Sequence, residues 1–108
     1  KSYQNSHFLH LEDQSNGRPK FKMTLAEEVT FFNKGAIIRE LEALPNHTML
    51  EVDVRKTRYL DQDIIEIFQD FAFKAQAKQI DIRINSERGI VDNPTDLMAF
   101  FQLDKQTI

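Results

Sequence analysis

Three aspartates in the middle of the chain are the residues best placed to do chemistry. Asp53 ends a predicted strand, and Asp61 and Asp63 open the long helix that follows. Because α/β proteins form their sites at the carboxyl ends of parallel strands, one interpretation makes Asp53 a phosphoryl acceptor. The alternative is structural: Asp61 caps the helix and Asp63 stabilises the positive end of its dipole. Charge placement alone favours the structural interpretation.

Phosphoryl transfer through Asp53, of the kind performed by receiver domains, needs residues that the sequence does not supply. It requires an acidic pair after an early strand to hold Mg²⁺, and a lysine after a late strand. The pair Glu12-Asp13 would end a hairpin strand, and Asn85-Ser86 contains no lysine. A dehalogenase-like site needs a second aspartate two residues after the first, where this chain has Arg55. A small phosphotransfer enzyme is therefore the less favoured alternative.

Composition and spacing argue against the other common catalytic and cofactor sites. The chain has no cysteine, which removes thiol catalysis and cysteine-ligated metals. Its three glycines are scattered, so nucleotide binding has no phosphate-cradling motif to support it. His7 and His10 would project from opposite faces of a strand, and His47 lies in a turn, so we do not expect a shared metal site. We predict no cofactor and no catalytic residue.

A short basic loop, Arg55, Lys56 and Arg58, comes just before Asp61. It is either a solvated loop that balances the aspartates or a contact with an anionic surface, lipid headgroups or an acidic partner. Reversing Arg55 and Arg58 is expected to weaken docking and to leave folding nearly intact, since exposed charges contribute about 1 kcal/mol or less. Nucleic acid is not an expected partner, because the net charge is −3 and no long basic run occurs.

Alternating strand and helix patterns must position these residues. The predicted strands are His7–Glu12, Lys20–Leu25, Met49–Val54 and Gln79–Ile84; the predicted helices are Asn33–Leu44, Asp61–Lys78 and a short one that opens at Asn93-Pro94-Thr95-Asp96 and contains Leu97, Phe100 and Phe101. This order, β-β-α-β-α-β-α with an initial hairpin, predicts an α/β fold: a small mixed sheet of four or five strands covered by helices. At 108 residues the chain suits a single domain, and no apolar stretch approaches the length of a membrane span.

Two adjacent phenylalanines, Phe31 and Phe32, precede the first helix. One is expected to enter the core, while the other lies nearer the surface beside Val29, where it is available for docking. The alternative is that both are partly buried under the helix. Small chains use most of their aromatic residues in the core, which favours this alternative.

The segment Val52–Phe68 resembles the STAS domain, which sulfate transporters share with anti-sigma-factor antagonists. The signature of that family is a strand ending in Asp, a short loop, an aromatic and an aliphatic residue, and then Asp-Ser-Ser/Thr-Gly opening a helix. Asp53, Tyr59, Leu60 and Asp61 match this layout. The predicted order of elements is similar to that family over about residues 6–101.

The chain departs from this signature where the helix begins. Gln62 and Asp63 stand where the family has Ser and Ser/Thr, and Ile64 stands where it has Gly. In anti-sigma-factor antagonists the residue at the position of Asp63 is the phosphorylated hydroxyl. The resemblance therefore implies that Asp63 supplies a fixed negative charge and that this position is not switched by a kinase.

Other segments are similar to one branch of the family, the bacterial sulfate-permease (SulP) anion transporters. They are Leu25–Lys34, Ala43-Leu44-Pro45 and Tyr59–Asp63. This resemblance implies a regulatory domain, not an enzyme, that was excised from a longer membrane transporter. It would lie on the cytoplasmic side of the bacterial inner membrane and would modulate sulfate or bicarbonate transport, or assembly, through protein contacts.

The resemblance also implies partners and a surface for them. The implied partners are the transmembrane domain of the same chain and, in addition, a second copy or a cytosolic protein. The implied partner-binding residues are Arg55, Lys56, Arg58, Tyr59, Asp61, Gln62 and Asp63. The alternative is a free-standing anti-sigma-factor antagonist that binds a kinase-like anti-sigma factor.

Overall fold

A five-stranded mixed sheet with helices packed on it confirms the predicted α/β class. The structure is a computed structural model that describes residues 7–13, 17–94 and 96. Its elements in chain order are β1 (His7–Asp13), β2 (Lys20–Leu25), β3 (Glu28–Val29), a 3-10 turn (Phe31–Asn33), α1 (Lys34–Glu42), β4 (Met49–Asp53), β5 (Tyr59–Leu60), α2 (Gln62–Lys78), β6 (Asp81–Ser86) and β7 (Gly89–Asp92).

The strand order in the main sheet is β1-β2-β4-β6-β7. The central strands β2, β4 and β6 run parallel, since helical crossovers connect them, and the outer strands β1 and β7 pair antiparallel with their neighbours. The predicted first hairpin is therefore confirmed. β3 and β5 form a separate parallel pair beside this sheet.

The core lies between one face of the sheet and the two described helices. Met23, Val52 and Ile84 are opposite one another on β2, β4 and β6, and all three are fully buried. Alternate residues point the other way, because successive side chains in a strand project to opposite faces. We call this second, polar face the open face; in register across its middle are Lys22, Glu51 and Arg83.

The helices contribute apolar stripes to the same core. The buried residues of α1 and α2 recur at helical spacing: Ile37, Leu41, Ile64, Ile65, Phe68, Phe71 and Ala75. α2 ends where Gln79 takes a left-handed conformation (φ 59°). The strand predicted from Gln79 therefore begins two residues later, at Asp81. Among the described residues, no helix is both long and apolar enough to cross a membrane.

Three short strands were not predicted. β3 and β5 have two residues each, too few to produce a periodic pattern. β7 follows a two-residue turn that lacks the Asn-Gly signature of tight hairpins, although Gly89 supplies a positive φ of 121°. The helix predicted after Asn93 falls on residues that, apart from Pro94 and Asp96, lie outside the described ranges.

The expectations for Phe31 and Phe32 were both wrong. Neither ring enters the core: Phe31 is 49% exposed and Phe32 is 82% exposed. Both lie in the 3-10 turn, where Asn33 Oδ1 accepts a hydrogen bond from the Thr30 backbone N–H (2.9 Å) and fixes the chain before α1 begins. The two rings stack on each other with centroids 4.2 Å apart. The turn therefore ends before the buried stripe of α1, which starts at Ile37.

Candidate functional site

The site begins at the end of β4, with a carboxylate whose hydrogen bonds are made within the chain. Asp53 is 5% exposed. Its Oδ1 accepts from the backbone N–H and from Nε of Arg55 (both 3.0 Å), and its Oδ2 accepts from Arg55 Nη2 at 2.8 Å. Lys22 Nζ lies 3.5 Å from the same Oδ2. Planar guanidinium and carboxylate groups fit each other in this two-bond geometry, which makes the pair stronger than a single contact.

These contacts stabilise the anionic form of Asp53. Hydrogen bonding from Arg55 lowers the pKa of Asp53 below its ordinary value, although burial acts in the opposite direction, and the Lys22 charge adds to the lowering. The same pairing raises the pKa of Arg55. Asp53 is therefore a stable anion whose oxygens are engaged by cations, which supports a structural role and weakens its candidacy as a phosphoryl acceptor.

Arg55 is not the freely solvated loop cation that one interpretation of the sequence predicts. Its guanidinium is bound to a buried carboxylate, so it is not an interchangeable surface charge. We therefore expect reversal of Arg55 to destabilise the fold more than reversal of an unpaired surface charge would. A glutamate at position 55 would place a second negative charge beside Asp53.

Hydrogen bonds hold the rest of the loop against the end of β2 and the residue that precedes β3. The backbone N–H groups of Arg58 and Tyr59 both donate to Glu27 O, at 2.8 and 2.9 Å. Thr57 Oγ1 donates to Leu25 O at 3.4 Å. Lys56 and Arg58 are exposed, and Tyr59 is 49% exposed. The loop therefore has a constrained backbone and presents its side chains to solvent.

The first turn of α2 follows directly and confirms the cap that the sequence predicts. Asp61 is the N-cap, and its Oδ1 accepts from the Asp63 backbone N–H at 2.8 Å. Asp63 lies in the first turn, where its Oδ2 is 3.5 Å from Lys34 Nζ of α1. Both carboxylates lie at the positive end of the helix dipole, which stabilises their negative charge. The Asp63 side chain is half exposed.

The cap makes a measurable contribution to stability. Replacing Asp61 by alanine removes the acceptor for one helix N–H, so we expect the free energy of unfolding to fall by about 1 kcal/mol. Asp61→Asn is the matched control, because an amide oxygen also caps. Chemical denaturation of the three proteins checks this. Equal losses in both variants would contradict the capping role and would assign the effect to charge.

The predicted site residues thus form one continuous segment but not one cluster of carboxylates. Asp53 turns to Arg55 and Lys22, whereas Asp61 and Asp63 serve the helix start. Across 7–13, 17–94 and 96, no three histidine, cysteine or acidic residues come together in a geometry that would hold a metal ion.

Sequence reasoning missed Lys22 as a member of this site. It lies on β2 opposite Glu51 of β4. The next pair on the same face of the sheet, two residues further along each strand, is Thr24 with Asp53. The alternation of Lys22 with Met23 predicts that the Lys22 side chain projects from the polar face of the sheet. Its nearness to Asp53, however, depends on the register between β2 and β4. Strand register between distant segments is not readable from either strand alone.

Comparison of the chain with protein-family models and with curated proteins returned no match.

Proposed function

We propose that this chain is a regulatory, non-enzymatic domain of a SulP-type anion permease and that it works by protein–protein contact. It carries the STAS layout, lies on the cytoplasmic side of the bacterial inner membrane and modulates sulfate or bicarbonate transport by docking on the transmembrane part of its own chain. The residues that match the family layout, Asp53, Tyr59, Leu60 and Asp61, support the proposal.

One observation carries the proposal: between the buried Asp53 and the start of α2, the segment that resembles the family has a hydrogen-bonded backbone and exposes several charged side chains. We call residues 55–63 the docking loop. At its start Arg55 is bound to the buried Asp53, and at its end Asp61 caps α2. Between these two anchors Lys56 and Arg58 are exposed. Because the backbone is already ordered, a partner that binds these side chains loses less conformational entropy than it would on a flexible loop.

The charge at the start of α2 supports regulation by partner binding and not by phosphorylation. Asp63 has no hydroxyl to receive a phosphoryl group, and its charge is balanced in part by Lys34. A phosphorylated hydroxyl would add about −1.5 to −2 charge that enzymes can remove, whereas a carboxylate keeps a single charge. Regulation therefore depends on which partner surface binds the docking loop.

The test is uptake of radiolabelled sulfate and bicarbonate by cells that produce the membrane protein carrying this domain. We expect Lys56→Glu to lower uptake a few-fold at unchanged protein abundance, since a charge at the rim of an interface affects association more than folding. Lys74→Glu is the matched control: an exposed lysine on α2, outside the docking loop.

Equal uptake in the parent and both variants would refute the role of the docking loop. If the domain instead binds a kinase-like anti-sigma factor, Lys56→Glu lowers that binding and leaves uptake unchanged. That outcome would overturn the transporter proposal in favour of the alternative.

A further inference from the structure

A groove beside α2 is not used by the proposed function. It has a volume of roughly 900 Å³ and lies between α2 and the amino end of β6. Its apolar lining includes the buried Ile80 and Ile82 and the partly buried Ala72. Because β4 and β6 are parallel and the docking loop follows the carboxyl end of β4, the groove and the docking loop lie at opposite ends of the strands. Pockets that hold a ligand have volumes of about 300–1,000 Å³, so the groove is large enough for an occupant of several side chains.

The described helices cover the apolar surface near this groove incompletely. Phe73 lines the groove from α2 and is 76% exposed. Val91 on β7 is opposite Ile84 on β6 and therefore projects to the core face. Ile84 is fully buried, whereas Val91 is 39% exposed. The core face beyond β6 thus has room for one more apolar element beside α2.

The chain enters this groove directly after β7. Asn93 has a left-handed backbone (φ 47°), which turns the chain out of the line of the strand. Its N–H donates to Ile82 O at 2.6 Å, and its Oδ1 accepts from the Ile82 N–H at 2.8 Å. Its Nδ2 also donates to Asp81 Oδ1 at 3.3 Å. These bonds fix Asn93 to the start of β6, and the next residue, Pro94, lines the groove.

We propose that residues 97–103 of this chain occupy the groove as a helix and pack Phe100 and Phe101 against Phe73. These residues lie outside the described ranges, and their sequence is LMAFFQL. Six of the seven are apolar. Leu97, Phe100 and Phe101 recur at the i, i+3, i+4 spacing, which gives a helix one apolar face. Such a face suits a groove with an apolar lining and an exposed ring at its side.

The chain itself favours this segment over a separate partner as the occupant. Only two residues separate Pro94, which already lines the groove, from Leu97. A short tether holds a segment near its site at an effective concentration of about millimolar, which a separate peptide or a second copy would have to exceed. Aromatic side chains bury about 150–250 Å² each, so the two rings of the segment supply the driving force for docking.

A double-mutant cycle in the whole chain tests the contact. Its two arms are Phe73→Ala in the groove and the paired substitution Phe100→Ala with Phe101→Ala in the segment. We expect each arm to lower the folding equilibrium constant about tenfold or more, because each leaves apolar surface uncovered. The combined variant should lose at least about fivefold less than the product of the two arms, because substitutions of residues in contact are not additive. Urea unfolding monitored by circular dichroism measures all four chains.

Phe32→Ala is the matched control for the groove arm. Phe32 is exposed to a similar degree, 82%, but it lies before α1 and outside the groove. Combined with the segment substitutions, Phe32→Ala should be additive. Additivity of Phe73→Ala with the segment arm would overturn the proposal. Equal coupling at Phe73 and Phe32 would also overturn it, since the effect would then not be local to the groove.

A spin label tests whether the segment docks on its own chain. The natural chain has no cysteine, so Ala77→Cys places a single label on an exposed position of α2 next to Gln76, which lines the groove. We expect the NMR spectrum of the labelled chain to lose the amide signals of residues 97–103. A label at Lys56→Cys, on the docking loop at the other end of the strands, should leave these signals intact.

A mixing experiment separates docking within one chain from docking between copies. An isotope-labelled parent chain mixed with the spin-labelled Ala77→Cys chain should keep its signals from residues 97–103. Loss of signals in this mixture would place the segment in the groove of a second copy and would overturn the proposal. Intact signals in the Ala77→Cys chain itself would leave the groove without this occupant and would overturn it as well. None of these measurements involves transport, so their outcome is independent of the proposed function.

Discussion

Asp53→Ala is expected to lower the free energy of unfolding by about 2 kcal/mol, the largest change in stability expected from any polar residue of the site. The substitution removes the acceptor for three hydrogen bonds from Arg55, and hydrogen bonds to charged groups are worth about 1.5–3 kcal/mol. It also leaves the Arg55 backbone N–H and the Lys22 ammonium without this carboxylate. Urea unfolding monitored by circular dichroism measures the loss.

Asp53→Asn is the control that separates charge from hydrogen bonding. The amide keeps one acceptor but has no charge, so this variant should lie between the parent and Asp53→Ala. Stability of Asp53→Ala equal to that of the parent would show that the Arg55 pair contributes nothing net, as is common for pairs on open surfaces.

Acid provides an independent measurement of the same carboxylate. Its pKa in the folded chain is below the ordinary value of 3.8, so the folded state stabilises the anion. The contribution is therefore complete at pH values above the unfolded pKa and is lost as the pH falls through the folded one. The stability difference between the parent and Asp53→Asn should be constant from pH 7 to about pH 5 and should shrink below pH 4. The depressed pKa of Asp92, which Arg83 causes, is present in both proteins and cancels in the comparison.

The sequence predicted the part of the site that depends on local pattern. Asp61 as the cap of α2 follows from an acid directly before a helical apolar pattern, and the structure has that hydrogen bond at 2.8 Å. The strand that carries Asp53 follows from local alternation: the predicted strand is Met49–Val54 and β4 is Met49–Asp53, one residue shorter. Both are properties of fewer than ten consecutive residues.

What the sequence did not predict depends on contacts between segments or on very short elements. The nearness of Lys22 to Asp53 requires the β2–β4 register, and the pairing of β3 with β5 joins segments about thirty residues apart. Phe31 and Phe32 were expected in or under the core because of their residue type. Their exposure follows from the 3-10 turn that Thr30 and Asn33 close, which turns the chain before the apolar stripe begins.

Asp63→Arg is expected to produce the largest loss of transport among point variants of the docking loop. The substitution replaces a fixed negative charge by a positive one on a surface that we propose to be docked. Opposed like charges in an interface cost several kcal/mol, so a loss of at least about tenfold in uptake is expected. The domain itself should stay folded, because Asp63 is half exposed and its contributions to the helix dipole and to Lys34 are about 1 kcal/mol or less.

Two further variants distinguish a local effect at position 63 from a general effect of net charge on uptake. Asp70→Arg makes the same charge change two turns later on α2, also at an exposed position, and should leave uptake near that of the parent. Asp63→Asn removes the charge without reversing it and should give an intermediate uptake. If Asp63→Arg and Asp70→Arg reduce uptake equally, the effect is one of net charge and the docking loop has no special role. If Asp63→Arg transports like the parent at equal abundance in the membrane, the fixed charge at the start of α2 is structural only, and regulation through this surface is excluded.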